Sequence, residues 1–299
     1  MASLYTQAES NIFKTWVYLT FFLVFIIAIG WLISYFFQSQ AILWFAVIFS
    51  MITNLFAYWY SDKIVLAISK AQPIKKQDSP ELYRIVENLS ITAGLPLPKI
   101  YVINEAQPNA FATGRNPQNS VVAVTRGLLE RLDRAELEGV IAHELSHIGN
   151  RDILLSTLVV VLVGVIVMMT DFFFRISHWG GEGRRDGGSF RSIAMLVALA
   201  LAILAPLLAT LIRMAISRKR EFLADASGAL LTRYPEGLAR ALEKISKDPN
   251  PLRVANDATS HLYIASPLRG REKSSWLHRL FMTHPPVEER IRLLREMQV

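Results

Sequence analysis

Four stretches of this 299-residue chain carry no charged side chain for long enough to cross a bilayer: Trp16 to Phe37 (22 residues), Ala41 to Tyr60 (20), Ile153 to Thr170 (18) and Ile193 to Ile212 (20). About 20 apolar helical residues span the hydrocarbon core, so each stretch predicts a membrane helix. A chain with 52% hydrophobic and 19% charged residues and a mean hydropathy of +0.30 agrees with that and excludes an ordinary water-soluble globule. The first stretch has neither a basic start nor a small-residue cleavage site, and it runs through Gln38, Ser39 and Gln40 straight into the second. It therefore predicts a retained anchor in a tight helical hairpin and not a signal peptide. Trp16, Tyr18, Tyr35, Trp44, Trp59 and Tyr60 gather near the ends of this pair, where rings sit at the headgroup level. The third stretch is short and the fourth contains Pro206, which leaves a buried core hairpin as the alternative for the second pair.

Orientation follows from the basic residues. None stands between the first two stretches, whereas Lys63, Lys70, Lys75 and Lys76 follow the second, which places residue 61 onward on the cytoplasmic side. The connection from Asp171 to Arg191 mixes Arg175, Arg184 and Arg185 with acids and glycines and reads as a linker. The predicted organisation is then an N-terminal transmembrane hairpin over 1–60, a second apolar hairpin over 153–212, and one cytoplasmic domain assembled from 61–152 and 213–299. The excess of 32 Lys+Arg over 25 Asp+Glu gives a net charge of +7. No nucleic-acid-binding signature accompanies it, and the basic residues flank apolar runs, so an anionic membrane surface explains the charge and no nucleic-acid partner is expected.

Between the hairpins, Leu82, Ile85, Val86 and Leu89 mark a helix over Ser79 to Ala93, with Pro80 near its start and Gly94 at its end. Lys99 to Asn104, Ala110 to Thr113 and Val121 to Thr125 read as short strands. The chain has no cysteine, so any metal must be held by histidine and carboxylate.

The sharpest motif is His143-Glu144-Leu145-Ser146-His147. On a helix, residues four apart lie one above the other, so both imidazoles reach a single zinc ion with Glu144 beside its open position. Asp133 followed by Glu136 predicts a capped start for that helix. A catalytic zinc needs a third protein ligand. The extended H-E-x-x-H-x-x-G-x-x-H pattern is excluded, because Asn150 and Ile153 stand where it needs glycine and histidine. After the fourth apolar run, Glu221 and Asp225 lie one helical turn apart, and an even number of crossings returns them to the side of His147. Glu221 is the favoured ligand, with Asp225 bonded to the free ring nitrogen of a ligand histidine; Asp225, His261, His278 and His284 remain rivals. His178, in the glycine-rich connection, reads as solvent-facing.

These motifs together resemble the HtpX family of membrane-bound zinc metalloproteases, relatives of the CAAX prenyl proteases. The likeness covers nearly the whole chain, from the first hairpin through His143 to His147, Arg220 to Asp225, and His284-Pro285-Pro286 with Arg290. It implies His143, His147 and Glu221 as zinc ligands, Glu144 as catalytic base and Asp225 behind the ligands. It also makes Asn109, Ala110, Phe111 and Ala112 part of an edge strand that binds extended substrate, although Phe111 by itself reads as core. His284 and Arg290 gain a role near the zinc, in stabilising an oxyanion or filling the open position at rest; the alternative for Arg290 is a surface salt bridge. The expected fold is α+β and mainly helical, a zincin-like metalloprotease domain with a small β-sheet fused to membrane-spanning helices. The expected activity is endopeptidase action on misfolded or damaged membrane proteins in the bacterial inner membrane, as quality control under stress. Three other readings compete: processing of lipidated tails, for which four apolar segments are too few to enclose a chamber; a scaffold with a structural metal, against which an intact Glu144 argues; and a channel, which would need ionisable residues within the spans.

Overall fold

The computed structural model describes residues 4–179, 218–250, 252, 254–255, 259, 262–265 and 285–297. The fourth apolar run and residues 180–191 of the connection before it, with His261, His278 and His284, lie outside the described residues, whereas residues 171–179, read from the sequence as linker, continue the helix that starts at Asp152. Among the described residues, three helices are long and apolar enough to cross a membrane. Helix α1 (Leu4–Phe37) contains the apolar span Glu9–Tyr35, the span of α2 (Gln40–Ile68) takes in the whole helix, with Asp62 and Lys63 near its end, and α6 (Asp152–Trp179) contains the span Asp152–Asp171. Gln38, with φ of 50°, turns α1 into α2 in the expected tight hairpin. The three helices pack around Tyr18, Phe22, Ile26, Ala57, Leu155, Leu158 and Leu162. Gly30 makes the α1–α2 crossing close, since a Cβ there would lie 2.1 Å from that of Ala46.

Beside this bundle stands a four-stranded mixed sheet. Its strands are β1 (Gln72–Pro73), β2 (Lys99–Ile103), β3 (Ala110–Gly114) and β4 (Ser120–Thr125), in the order β1-β2-β4-β3. β2 and β4 are parallel, β3 runs antiparallel to β4, and β3 is the edge strand the sequence reading expected. Alternation along the strands divides two cores. Ile100, Ala110, Ala112, Val122 and Val124 face one side, while Ile103, Phe111, Val121 and Ala123 face the other. The first side is covered by helices α3 (Pro80–Thr92) and α5 (Arg134–Gly149), and the second by Val65 and Leu66 of α2 and Val160 of α6. β4 is buried along its whole length, which is why Val121 to Thr125 reads as an apolar run.

Helix α4 (Arg126–Arg131) leads to α5, whose start carries the expected capping box: Asp133 accepts from the Glu136 N–H, and the Glu136 carboxylate accepts from the Asp133 N–H. Helices α7 (Arg218–Thr232), α8 (Pro235–Lys247) and α9 (Val287–Glu296) pack beside α5, with Leu238, Leu242, Ile245 and Leu294 in the same core as Leu137 and Ile141. The α5–α8 crossing depends on Gly139, where a Cβ would lie 2.7 Å from the Leu238 backbone nitrogen and 2.9 Å from its Cα. Backbone cannot yield as a flexible side chain would. Gly139→Ala should therefore cost about 1–3 kcal/mol, the range for overpacking, visible as a lower midpoint in chemical denaturation of the detergent-solubilised chain. An unchanged midpoint would show that the helices separate freely.

Candidate active site

The site forms where α5 and α7 meet at closest approach. His143 and His147 project from one face of α5, their rings edge to face with centroids 4.7 Å apart and their Nε2 atoms 3.1 Å apart. Glu221, Asp225 and Gly228 lie on one face of α7, at i, i+4 and i+7. Gly228 lets the two backbones touch, because a Cβ there would lie 3.0 Å from the His143 nitrogen. This approach carries Glu221 to the histidines, with Oε1 3.6 Å from His147 Nε2 and Oε2 3.9 Å from His143 Nε2. One donor atom from each of His143, His147 and Glu221 can be chosen so that all lie within 4.8 Å of one another.

The chemistry of these donors fits a divalent metal ion. His143 Nδ1 lies 3.0 Å from Asp225 Oδ1, and His147 Nδ1 lies 3.1 Å from Asp152 Oδ2. Carboxylates only accept, so both rings carry their proton on Nδ1, and the two Nε2 lone pairs face each other and the Glu221 carboxylate. Two imidazole nitrogens and a carboxylate converging in this way form a donor set suited to a cation. The electrostatics lean the same way. Burial disfavours a charged His147, yet Asp152, Glu221 and Glu144 together push its pKa up to about 9. Burial lowers that of His143, against the opposing pull of Asp225.

Glu144 is 2% exposed, between the two histidines in sequence. Burial pushes its carboxyl up to about 7; the Glu221 charge adds to this, while His147 and a bond from the Ala112 backbone N–H hold it down. A carboxyl poised near neutrality can both take and release a proton. The Ala112 bond also fixes where the edge strand meets the site. Of the residues expected to receive substrate, Asn109 and Phe111 direct their side chains inward. Asn109 is fully buried, donating through Nδ2 to the Ala265 carbonyl at 3.1 Å and accepting from the Ala110 N–H. Phe111 packs edge-on against Tyr263, with centroids 5.2 Å apart. The Ala110 carbonyl accepts from the Ile264 N–H at 3.0 Å. Ala112, through its backbone N–H, bonds the Glu144 carboxyl.

For Arg290 the structure excludes the surface salt bridge: it is 1% exposed and grips Asp225 with two bonds, Nε to Oδ2 at 2.8 Å and NH2 to Oδ1 at 2.7 Å. Its NH1 donates to the Ile264 carbonyl at 2.8 Å and lies 3.6 Å from Glu221 Oε2. Burial would raise the Asp225 pKa, but Arg290 outweighs it and keeps the carboxyl below its ordinary value. His284 lies outside the described residues. Asp152, five residues past His147, is given no role by the sequence. Its contact with His147 is created by Arg151, whose φ of 56° turns the chain sharply between α5 and α6.

A buried carboxylate beside three residues able to hold a metal ion, joined to helices long and apolar enough to span a bilayer, fits one class: a membrane metalloprotease. Comparison with known proteins agrees. Residues 76–298 match the model of Peptidase family M48. The chain is 50% identical to the Protease HtpX homolog of Dictyoglomus turgidum over 98% of its own length and 94% of the relative's. It is 44% identical to that of Caldanaerobacter subterraneus over 99% of each. The fold resembles the crystal structure of S. mikatae Ste24p, with a TM-score of 0.50 at 21% identity over 94% of this chain and 66% of that one. The chain belongs to peptidase family M48, among the HtpX-type proteases.

Removing Arg290 leaves the Asp225 carboxylate buried without its counter-charge. Arg290→Met should cost about 3–5 kcal/mol of unfolding free energy, and Arg290→Lys should recover little, because a single ammonium cannot make the two-point contact. Denaturation midpoints of both variants check this. Full recovery by lysine would mean that charge alone matters.

Proposed function

We propose that this chain is a zinc-dependent endopeptidase whose active site faces the cytoplasm from the bacterial inner membrane. The reading is carried by the convergence of His143 Nε2, His147 Nε2 and the Glu221 carboxylate beside Glu144. Zinc suits two imidazoles and a carboxylate, and when bound it supplies Lewis acidity at the scissile carbonyl and brings the pKa of water towards neutrality. Glu144 takes a proton from the attacking water and gives it to the departing amine nitrogen, so the peptide bond breaks without a covalent intermediate. Asp225 holds His143 by Nδ1, and Arg290 holds Asp225. An extended peptide lies beside β3 at Ala112, where strand and base meet, with Asn109 and Phe111 supporting the strand from within.

The sidedness rests on Lys63, Lys70, Lys75 and Lys76 after α2, against no basic residue in the turn between α1 and α2. The site lies at the end of the bundle where α2 arrives and α6 departs. A protease fixed at that surface meets membrane proteins and their cytoplasmic loops at high effective concentration, which favours misfolded or damaged membrane proteins as substrates, in quality control under stress.

The test is purification of the full chain in detergent without chelator, with zinc measured per chain and casein cleavage followed. One zinc per chain, loss of cleavage with phenanthroline, and recovery on adding zinc are expected. Glu144→Gln should retain zinc while cleavage falls about 10²–10⁴-fold, the range for a removed general base. Undiminished cleavage in that variant would refute the assigned base.

A further inference from the structure

A membrane helix reaches the metal cluster. Asn11, two residues into the apolar span that begins at Glu9, is fully buried. Its Nδ2 lies 3.0 Å from the Asn150 carbonyl and 2.5 Å from Asp152 Oδ1. Both partners are acceptors, so the amide must turn its NH2 to them. Its own oxygen has no partner among the described residues, a cost that an apolar side chain would avoid. Asp152 is 4% exposed; Arg220 NH1 of α7 lies 3.2 Å from the same Oδ1, and the other oxygen contacts His147 Nδ1. One oxygen of Asp152 is thus fixed by α1 and α7, which leaves the other aimed at the histidine.

We propose that Asn11 is a positioning residue for the metal ligand His147, acting through Asp152, so that the first membrane helix is part of the device that holds the metal. This rests on the reading in which His143, His147 and Glu221 bind zinc. Partners behind a metal ligand set its orientation, and losing one typically weakens metal binding about 10–100-fold. Helix α1 supplies such a partner from across the fold, between elements that share no local sequence. Displacing α1 frees the Asp152 carboxylate to turn and His147 to leave its rotamer.

The experiment measures zinc affinity by chelator competition in the full-length, detergent-solubilised chain. The variants are Asn11→Leu, close in volume and unable to donate, Asp152→Ala, and the two combined. Asn54→Leu is the control, because Asn54 is a membrane-helix amide that donates to the Leu19 carbonyl away from the site. Asn11→Leu and Asp152→Ala should each weaken zinc by about 10-fold or more, and Asn11→Leu should add less than about twofold once Asp152 is gone. The visible ligand-field spectrum of the Co²⁺-loaded protein should change in Asn11→Leu and stay unchanged in Asn54→Leu. Wild-type affinity and spectrum in Asn11→Leu would overturn the proposal. So would effects that multiply in the double variant, or an equal loss in Asn54→Leu. If Asn11→Leu does not fold, Asp152→Ala decides, and unchanged affinity there overturns it. A wild-type chain that binds no zinc is a different result, which removes the zinc reading itself.

Discussion

Two imidazole nitrogens and a carboxylate face one another between two helices, and the rest of the molecule is organised to hold them there. Lone pairs on two imidazoles and a carboxylate repel unless a cation lies among them. Leaving them so close is tolerable only if the groups behind cannot relax. Asp225 and Asp152 fix the far nitrogens of the two rings, and each aspartate is fixed in turn: Asp225 by the two-point grip of Arg290, Asp152 by Arg220 and Asn11. Helices α1, α5, α7 and α9 therefore all end their polar contacts at one point, although they come from the two ends and the middle of the chain.

Close backbone approach makes this geometry available. Gly228 brings α7 against His143, and Gly139, one turn earlier on the same face, brings α8 against α5, so the helix that carries the histidines is pinned along its length. The sheet closes the remaining side. Its edge strand donates the Ala112 N–H to Glu144, while its other face rests on α2 and α6. The apolar helices thus do more than tether a soluble head. The α2 residues Val65 and Leu66 and the α6 residue Val160 share a core with β3 and β4, and α6 starts at Asp152, the residue that steadies His147. Membrane segment and catalytic apparatus are continuous, which explains a strongly buried α6, with 61% of its most apolar window covered inside the protein.

What the sequence made legible was local. The apolar runs predict α1, α2 and α6; the Asp133/Glu136 spacing gives the start of α5; and the four-residue spacing of His143 and His147 places both rings on one side. Glu221 was reached by topology and by resemblance, because an even number of crossings returns the chain to the same face. Long-range pairing was not legible. The parallel partnership of β2 and β4, with β3 displaced to the edge, depends on contacts between segments whose own patterns are indifferent to order. The partner of Arg290 was not legible for a related reason: an amphipathic terminal helix gives no sign that one arginine turns inward to a carboxylate 65 residues away. Asn11 and Asp152 escaped because each is an ordinary polar residue at the end of an apolar run. Only the left-handed turn at Arg151 and the packing of α1 bring them together behind His147.

The most direct test of the central claim is X-ray absorption at the zinc edge on the full chain, purified in detergent without chelator. The proposal predicts a single zinc whose protein ligands are two imidazole nitrogens and a carboxylate oxygen, with the imidazole signal lost when His143 and His147 are both replaced. A zinc environment without imidazole, or one unaltered by that double replacement, would contradict the account.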